Sequence, residues 1–420
     1  MNKELANKIL ITLGFILLYR LLAYVPVPGV NIDVVKEFFD SNAGNALGLV
    51  NMFSGNAVER LSIISLGIMP YITASIILEL LAATFPALGK MKKERDGMQK
   101  YMQIIRYTTI GITLVQAVGV SMGLNSLTGA NGQSAITVDM NTFLAVAAIS
   151  MVAGTVMLMW IGEQITQKGI GNGISLIIFA GIVSAIPSAI GGTIELVNNG
   201  QLNFLTVIFI LVIILATVGA IIYVELGERR IPISYSRKVM MQNQDKRIMN
   251  YIPIKVNLAG VIPAIFASAI LMFPATILQG SQNEILVKIA DYLSPSSYTF
   301  NLLMFLFVVF FAFFYASITF NAKDIAENLK RQGGFIPGVR PGGSTSEFLN
   351  ETASRLTFWG AIYLGIVSTI PLLIVQAMGV PFYFGGVAVL IVVQVAIDTM
   401  RKIEAQQYMK KYDTLSAVGL

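Results

Sequence analysis

The chain has 420 residues, 55% of them hydrophobic and 12% charged, with a formal net charge of +6 and no cysteine or histidine. Soluble domains carry about a quarter charged residues, so at a mean hydropathy of +0.71 water is not the main solvent of this chain. The two missing residue types exclude disulfides, thiolate zinc sites, Ser/His or Cys/His nucleophile pairs and imidazole proton shuttles.

Apolar runs long enough to cross a ~30 Å hydrocarbon core recur near residues 8–26, 66–86, 105–123, 141–161, 174–194, 203–225, 257–278, 301–320, 357–377 and 382–399. They predict ten membrane helices, because a helix satisfies its own backbone groups where there is no water. No strand of alternating polarity is visible, and the expected fold class is all-α.

The first run, Ile9 to Val27, is longer than the core of a signal peptide. It ends in Pro26-Val27-Pro28-Gly29 with no small-x-small cleavage site, so it is expected to stay in the mature protein. Arg20 lies near its outer end, close enough to snorkel. The stretch from Asn51 to Leu61 is too short and too polar to cross, and by itself reads as an interfacial helix on the outer surface. In the second run Ile68 and Ile72 share a face by their i,i+4 spacing, and Glu79 lies in the inner part. Ile174 and Ile178 repeat the pairing in the fifth run; such residues ordinarily face lipid or a neighbouring helix. Gly169-Ile170-Gly171-Asn172-Gly173 lacks a following Lys-Ser/Thr and reads as a tight turn rather than a nucleotide cradle.

Lysine and arginine fall almost entirely in alternate connections. One side holds 25 of the 29, the other holds Lys36, Arg60 and Lys288, and Arg20 is the remainder. The positive-inside rule puts both termini in the cytoplasm. Ten helices divide into two fives, and an odd number per half requires any internal duplication to be inverted across the membrane, although no residue-level repeat is visible. Two cytoplasmic connections, 226–256 and 321–356, exceed simple loops. Their basic, Gly/Pro-punctuated character fits either a topology signal or fingers that meet an anionic partner.

Spans three to ten have no charge in their middles, which disfavours a proton- or sodium-coupled carrier of small solutes. No metal-ligand spacing, phosphate loop or paired carboxylates appear, so a membrane-embedded enzyme lacks its parts and no cofactor is expected.

Eight ordered motifs together resemble the SecY/Sec61-alpha family of protein-translocation channels over nearly the whole chain. They are YVPVPGV (24–30), NMFSGNAVERLSIISLGIMPYITASII (51–77), KMKKERDGMQKY (90–101), GIGNGISLIIFAGIV (169–183), GERRIPISYSRK (227–238), KVNLAGVIPAIFASAI (255–270), FPA (273–275) and GFIPGVRPG (334–342). The resemblance implies an hourglass pore between halves 1–195 and 196–399, followed by a cytoplasmic tail at 400–420. It implies a passive channel in the bacterial cytoplasmic membrane that passes unfolded secretory chains and releases apolar segments sideways into lipid.

The constriction ring of that family maps onto Ile68, Ile72, Ile174, Ile178, Ile265 and Ile391. Its plug helix maps onto residues 51–62, including Asn51, Met52, Phe53, Ser54, Gly55 and Arg60. Glu79 and Asn257 match polar positions of the lateral gate between the second and seventh spans, where a buried polar pair sets the apolarity a signal needs; glutamate at 79 departs from the uncharged polar residue expected there. Arg229, Arg230, Arg237, Lys238 and Arg340 match docking positions for the SecA motor or for ribosomal RNA. The further partners implied are small membrane subunits of the SecE and SecG type, signal peptides and nascent chains, membrane lipid, YidC and SecD/SecF.

Overall fold

The computed structural model describes residues 3–41, 51, 54–125, 133–200, 202–235, 251–279, 285, 288–289, 292–294, 297–378 and 385–417. In chain order the long helices are α1 (Lys3–Leu22), α2 (Ile32–Ser41), α3 (Met69–Thr84), α4 (Pro86–Lys93), α5 (Arg95–Asn125), α6 (Met140–Lys168), α7 (Gly173–Asn198) and α8 (Phe204–Leu226). After strands β1 (Glu228–Pro232), β2 (Ser234–Tyr235) and β3 (Tyr251–Lys255) come α9 (Ile262–Gln279), α10 (Tyr298–Thr319), α11 (Ala322–Arg331), β4 (Gly334–Phe335), α12 (Gly343–Met378) and α13 (Gly386–Ala417).

Each of the ten apolar runs overlaps a helix among the described residues. Seven of the helical stretches described are by themselves long and apolar enough to cross a membrane: α1, α5, α6, α7, α8, α12 and the stretch that begins with α10. The ends follow local chemistry. Asp139, Asn172, Asn203 and Ser297 cap α6, α7, α8 and α10 by accepting a backbone N–H, each cap contributing about 1 kcal/mol. Inside α5, Thr109, Thr113 and Ser121 donate their hydroxyls to carbonyls one turn back, which satisfies them without water. Pro86 ends α3 and opens α4, and the chain bends by 115° there.

α1, α3, α5, α6 and α7 pack among themselves, and so do α8, α9, α10, α12 and α13. The two sets meet along α9 against α3 and α5 on one side, and along α13 against α7 on the other. The largest apolar cluster runs through both contacts and contains Ile64, Ile161, Ile182, Ala264, Val308 and Leu390.

Two features depart from the sequence reading. Strands are present outside the apolar runs: β1 pairs antiparallel with β3, Arg230 opposite Pro253, and β2 pairs with β4, Tyr235 opposite Gly334. Ile231, Ile254, Leu329, Ile336 and Leu349 form one small core beneath these strands and α11. The two long connections, read as separate fingers, thus fold into one unit, and α12 begins in it well before the apolar run at 357. The second is α2, an amphipathic helix outside the ten apolar runs, whose Val34 and Val35 belong to one apolar cluster with Phe143 and Met151 of α6.

Candidate functional site

At the meeting of the two helix sets lies a small cavity lined by Ile68, Met69 and Ile72 of the α3 entry, Ile178 of α7, Ile265 and Ser268 of α9, and Ile391 of α13. Its free volume of about 10 Å³ has room for roughly one water. Five of the six isoleucines expected to form a ring therefore converge from four chain segments. Ile68, Ile72, Ile178 and Ile391 are 1–7% exposed. Ile174 belongs to the same apolar cluster but packs against α6, its Cγ1 3.2 Å from where a Cβ on Gly162 would stand. The Ser268 hydroxyl, the polar group on the lining, donates to the Ile265 carbonyl at 2.9 Å. What faces the cavity is hydrocarbon, which disfavours water and ions and offers no directional bond.

The segment before α3 adjoins this cavity. Ser54 lies against Gly67, one residue before Ile68, with its Cα and Cβ 3.6 Å from a Cβ position there. Residues 54–68 form turns rather than the helix expected over 51–62. Asn56 (φ 65°) and Leu61 (φ 39°) have left-handed backbones, as do Gly55 and Gly67, and such residues interrupt a right-handed ladder. Asn51 organises the turn: its Oδ1 accepts the Val58 and Glu59 amides at 3.1 and 3.0 Å, and its Nδ2 donates to Glu59. Two side chains of α1 hold the segment from above, Tyr19 Oη donating to the Ser54 carbonyl at 3.0 Å and Arg20 Nη1 to the Gly55 carbonyl at 2.5 Å. Arg20 is thus engaged inside the fold rather than only snorkelling. Gly55 has φ 70°, and a Cβ on it would come within 3.1 Å of Ser184 Oγ, Tyr19 Oη and Gly181 Cα. Arg60 stacks on the Tyr24 ring at 4.1 Å. Met52 and Phe53 lie outside the described residues.

The two polar positions expected at the gate have separate partners. Glu79 pairs with Lys92 Nζ at 3.1 Å, across the bend between α3 and α4. Asn257 is buried; its Nδ2 donates to Glu225 Oε1 at the end of α8 and to the Gly260 carbonyl, and its Oδ1 accepts the Gly260 amide. It caps the approach to α9 and ties it to α8.

On the basic unit, Arg229, Arg230 and Arg340 are exposed, and Arg237 and Lys238 lie outside the described residues. Arg230 donates to Glu228 at 2.7 Å, which raises its pKa above the ordinary arginine value, and it stacks on Tyr251 at 4.9 Å. Arg340 sits in a turn between Gly338 and Gly342, both left-handed (φ 82° and 107°), and its carbonyl accepts the Thr345 hydroxyl.

A sequence profile described as SecY matches residues 62–400. The chain is 70% identical to the protein translocase subunit SecY of Helicobacter pylori strain ATCC 700392 / 26695, with 100% of both chains covered. It is 40% identical to the protein translocase subunit SecY of Escherichia coli K12, over 98% of this chain and 94% of that one. A solved structure described as a protein conducting channel superposes with a TM-score of 0.67 at 18% identity, covering 96% of this chain and 93% of that chain. One of Sec61 in a canine ribosome-channel complex gives 0.64 at 17%, covering 96% and 93%. At these identities the likeness to the solved structures is one of fold.

Proposed function

The chain belongs to the SecY family, and from that premise we propose that it is the central subunit of a protein-translocation channel. The relatives at 40% and 70% identity carry the name protein translocase subunit. The observation that carries the reading in this chain is the convergence of Ile68, Ile72, Ile178, Ile265 and Ile391 on a cavity of about one water, with Ser54 against Gly67 next to Ile68.

In this reading the helices cross the bacterial cytoplasmic membrane ten times, with both termini in the cytoplasm, as halves 1–195 and 196–399. The isoleucine ring seals the closed pore by excluding water, and on opening it grips an extended chain without recognising its sequence. Residues 51–62 plug the outer funnel. The contact of α3 and α5 with α9 opens towards lipid to release apolar segments, with Glu79 and Asn257 on its cytoplasmic half. The channel is passive: a SecA motor or a ribosome docks on the basic unit and supplies the drive. Small subunits of the SecE and SecG type cover the flank of α8, whose membrane face is exposed at Leu205, Leu211 and Leu215.

The test is reconstitution of the chain with such subunits in vesicles, followed by SecA- and ATP-dependent protection of a secretory precursor. Protection is the expected result; uptake of a small solute down an ion gradient, with no precursor protected, would overturn the reading. Reversing the charge of the exposed turn with Arg340→Glu is expected to lower SecA-driven transport about ten-fold, or about 1.4 kcal/mol, since like charges placed opposite a partner repel.

A further inference from the structure

Glu79 lies two turns beyond Ile72 on α3, about 10 Å from it towards the lysine-rich side. α3 is also the helix that meets α9 where the two sets join. The carboxylate acts electrostatically on Tyr71 of α3 and Tyr101 of α5 in its own set and on Tyr315 of α10 in the other, which puts it near the boundary between the two. Its ion-pair partner is Lys92, carried back to it by the 115° bend at Pro86. The side chains are 28% and 35% exposed, so the pair is accessible to an incoming ligand.

A secretory signal is a cationic n-region followed by 7–15 apolar residues. An apolar stretch lodged between α3 and α9, with its positive end held on the cytoplasmic side, brings that cation to the level of Glu79. Lys92 already shows what such a cation would bind.

We propose that Glu79 is a subsite for the n-region cation of the signal and that Lys92 occupies it in the idle channel. The proposal rests on the translocation reading above and adds a recognition element to it. Exchanging one ammonium for another leaves the carboxylate paired throughout. A partly exposed ion pair is worth little, so a tethered cation can displace Lys92, whose flexible stem and strongly hydrated head return readily to water.

The experiment uses the complete channel with its partner subunits in vesicles and a set of precursors that share one apolar core and differ in n-region charge, from neutral to strongly basic. Wild-type initial rates are expected to rise with that charge. Glu79→Gln should flatten the dependence by about two- to five-fold, the range an ion pair of this exposure is worth. Lys92→Met should steepen it, favouring basic signals and penalising neutral ones. Glu79→Lys should shift the preference towards acidic n-regions, a reversal that mere loss of stability cannot produce. An unchanged charge dependence in Glu79→Gln, or variants that scale all precursors by one factor, would overturn the proposal. Wild-type vesicles that transport no precursor would overturn the translocation reading instead.

Discussion

Around the central cavity, the isoleucines meet through hydrocarbon contact alone, whereas the neighbouring segment at 54–62 is fixed largely through its backbone carbonyls and amides. Tyr19 and Arg20 hold Ser54 and Gly55, Asn51 accepts two amides, and the Val27 amide donates to Leu61. Dispersion contacts have no preferred direction, so a ring made of them can close again around any cross-section. Hydrogen bonds are satisfied in one position only. A segment that must leave and return to a single seat is suited by a few of them, each worth about 1 kcal/mol net and about 1.5–3 kcal/mol where one partner is charged.

The largest expected effect comes from breaking the seat sterically. Gly55→Val puts a β-branched residue at φ 70° and drives its side chain into Tyr19, Gly181 and Ser184. Backbone strain and overpacking together should cost about 3 kcal/mol or more. The ion conductance of the closed channel should rise steeply; a conductance equal to wild type would mean the seat is soft. Next comes Arg20→Met, which removes the charged donor to the Gly55 carbonyl and should cost about 1.5–3 kcal/mol. Its leak should be intermediate and should exceed that of Tyr19→Phe, which deletes a neutral hydrogen bond. The smallest effect belongs to the ring. Ile72→Val removes one methyl group and should cost about 0.5–1.5 kcal/mol, with precursor transport unchanged and only a slight leak. A leak larger than that of Arg20→Met would reverse the comparison and assign the seal to packing alone.

The sequence reading reached the helices because each apolar run is long enough to cross, and a helix is the solution open to it in lipid. The ring was legible in a weaker way: Ile68 and Ile72 announce only a shared face, and their joining with Ile178, Ile265 and Ile391 came from family resemblance. What escaped depends on tertiary geometry. The pairing of Glu79 with Lys92 needs the bend at Pro86, and the bond between Asn257 and Glu225 joins residues separated by the whole 226–256 connection. The strands escaped because they lie outside the apolar runs and are only a few residues long, with Ile231 opposite Ile252 in the β1–β3 pair. The turns at 54–62 escaped because Asn56 and Leu61 take left-handed backbones that their residue types do not demand.

The central claim, that the isoleucine cavity is the path of the translocating chain, is tested most directly by site-specific photocrosslinking of a stalled precursor. Crosslinkers would be placed singly at Ile68, Ile72, Ile178, Ile265 and Ile391, with Leu211 and Leu215 on the exposed face of α8 as controls. Capture of the precursor at the five cavity positions, and background at the two controls, is the predicted result. Equal capture at both sets, or none at the cavity, would contradict it.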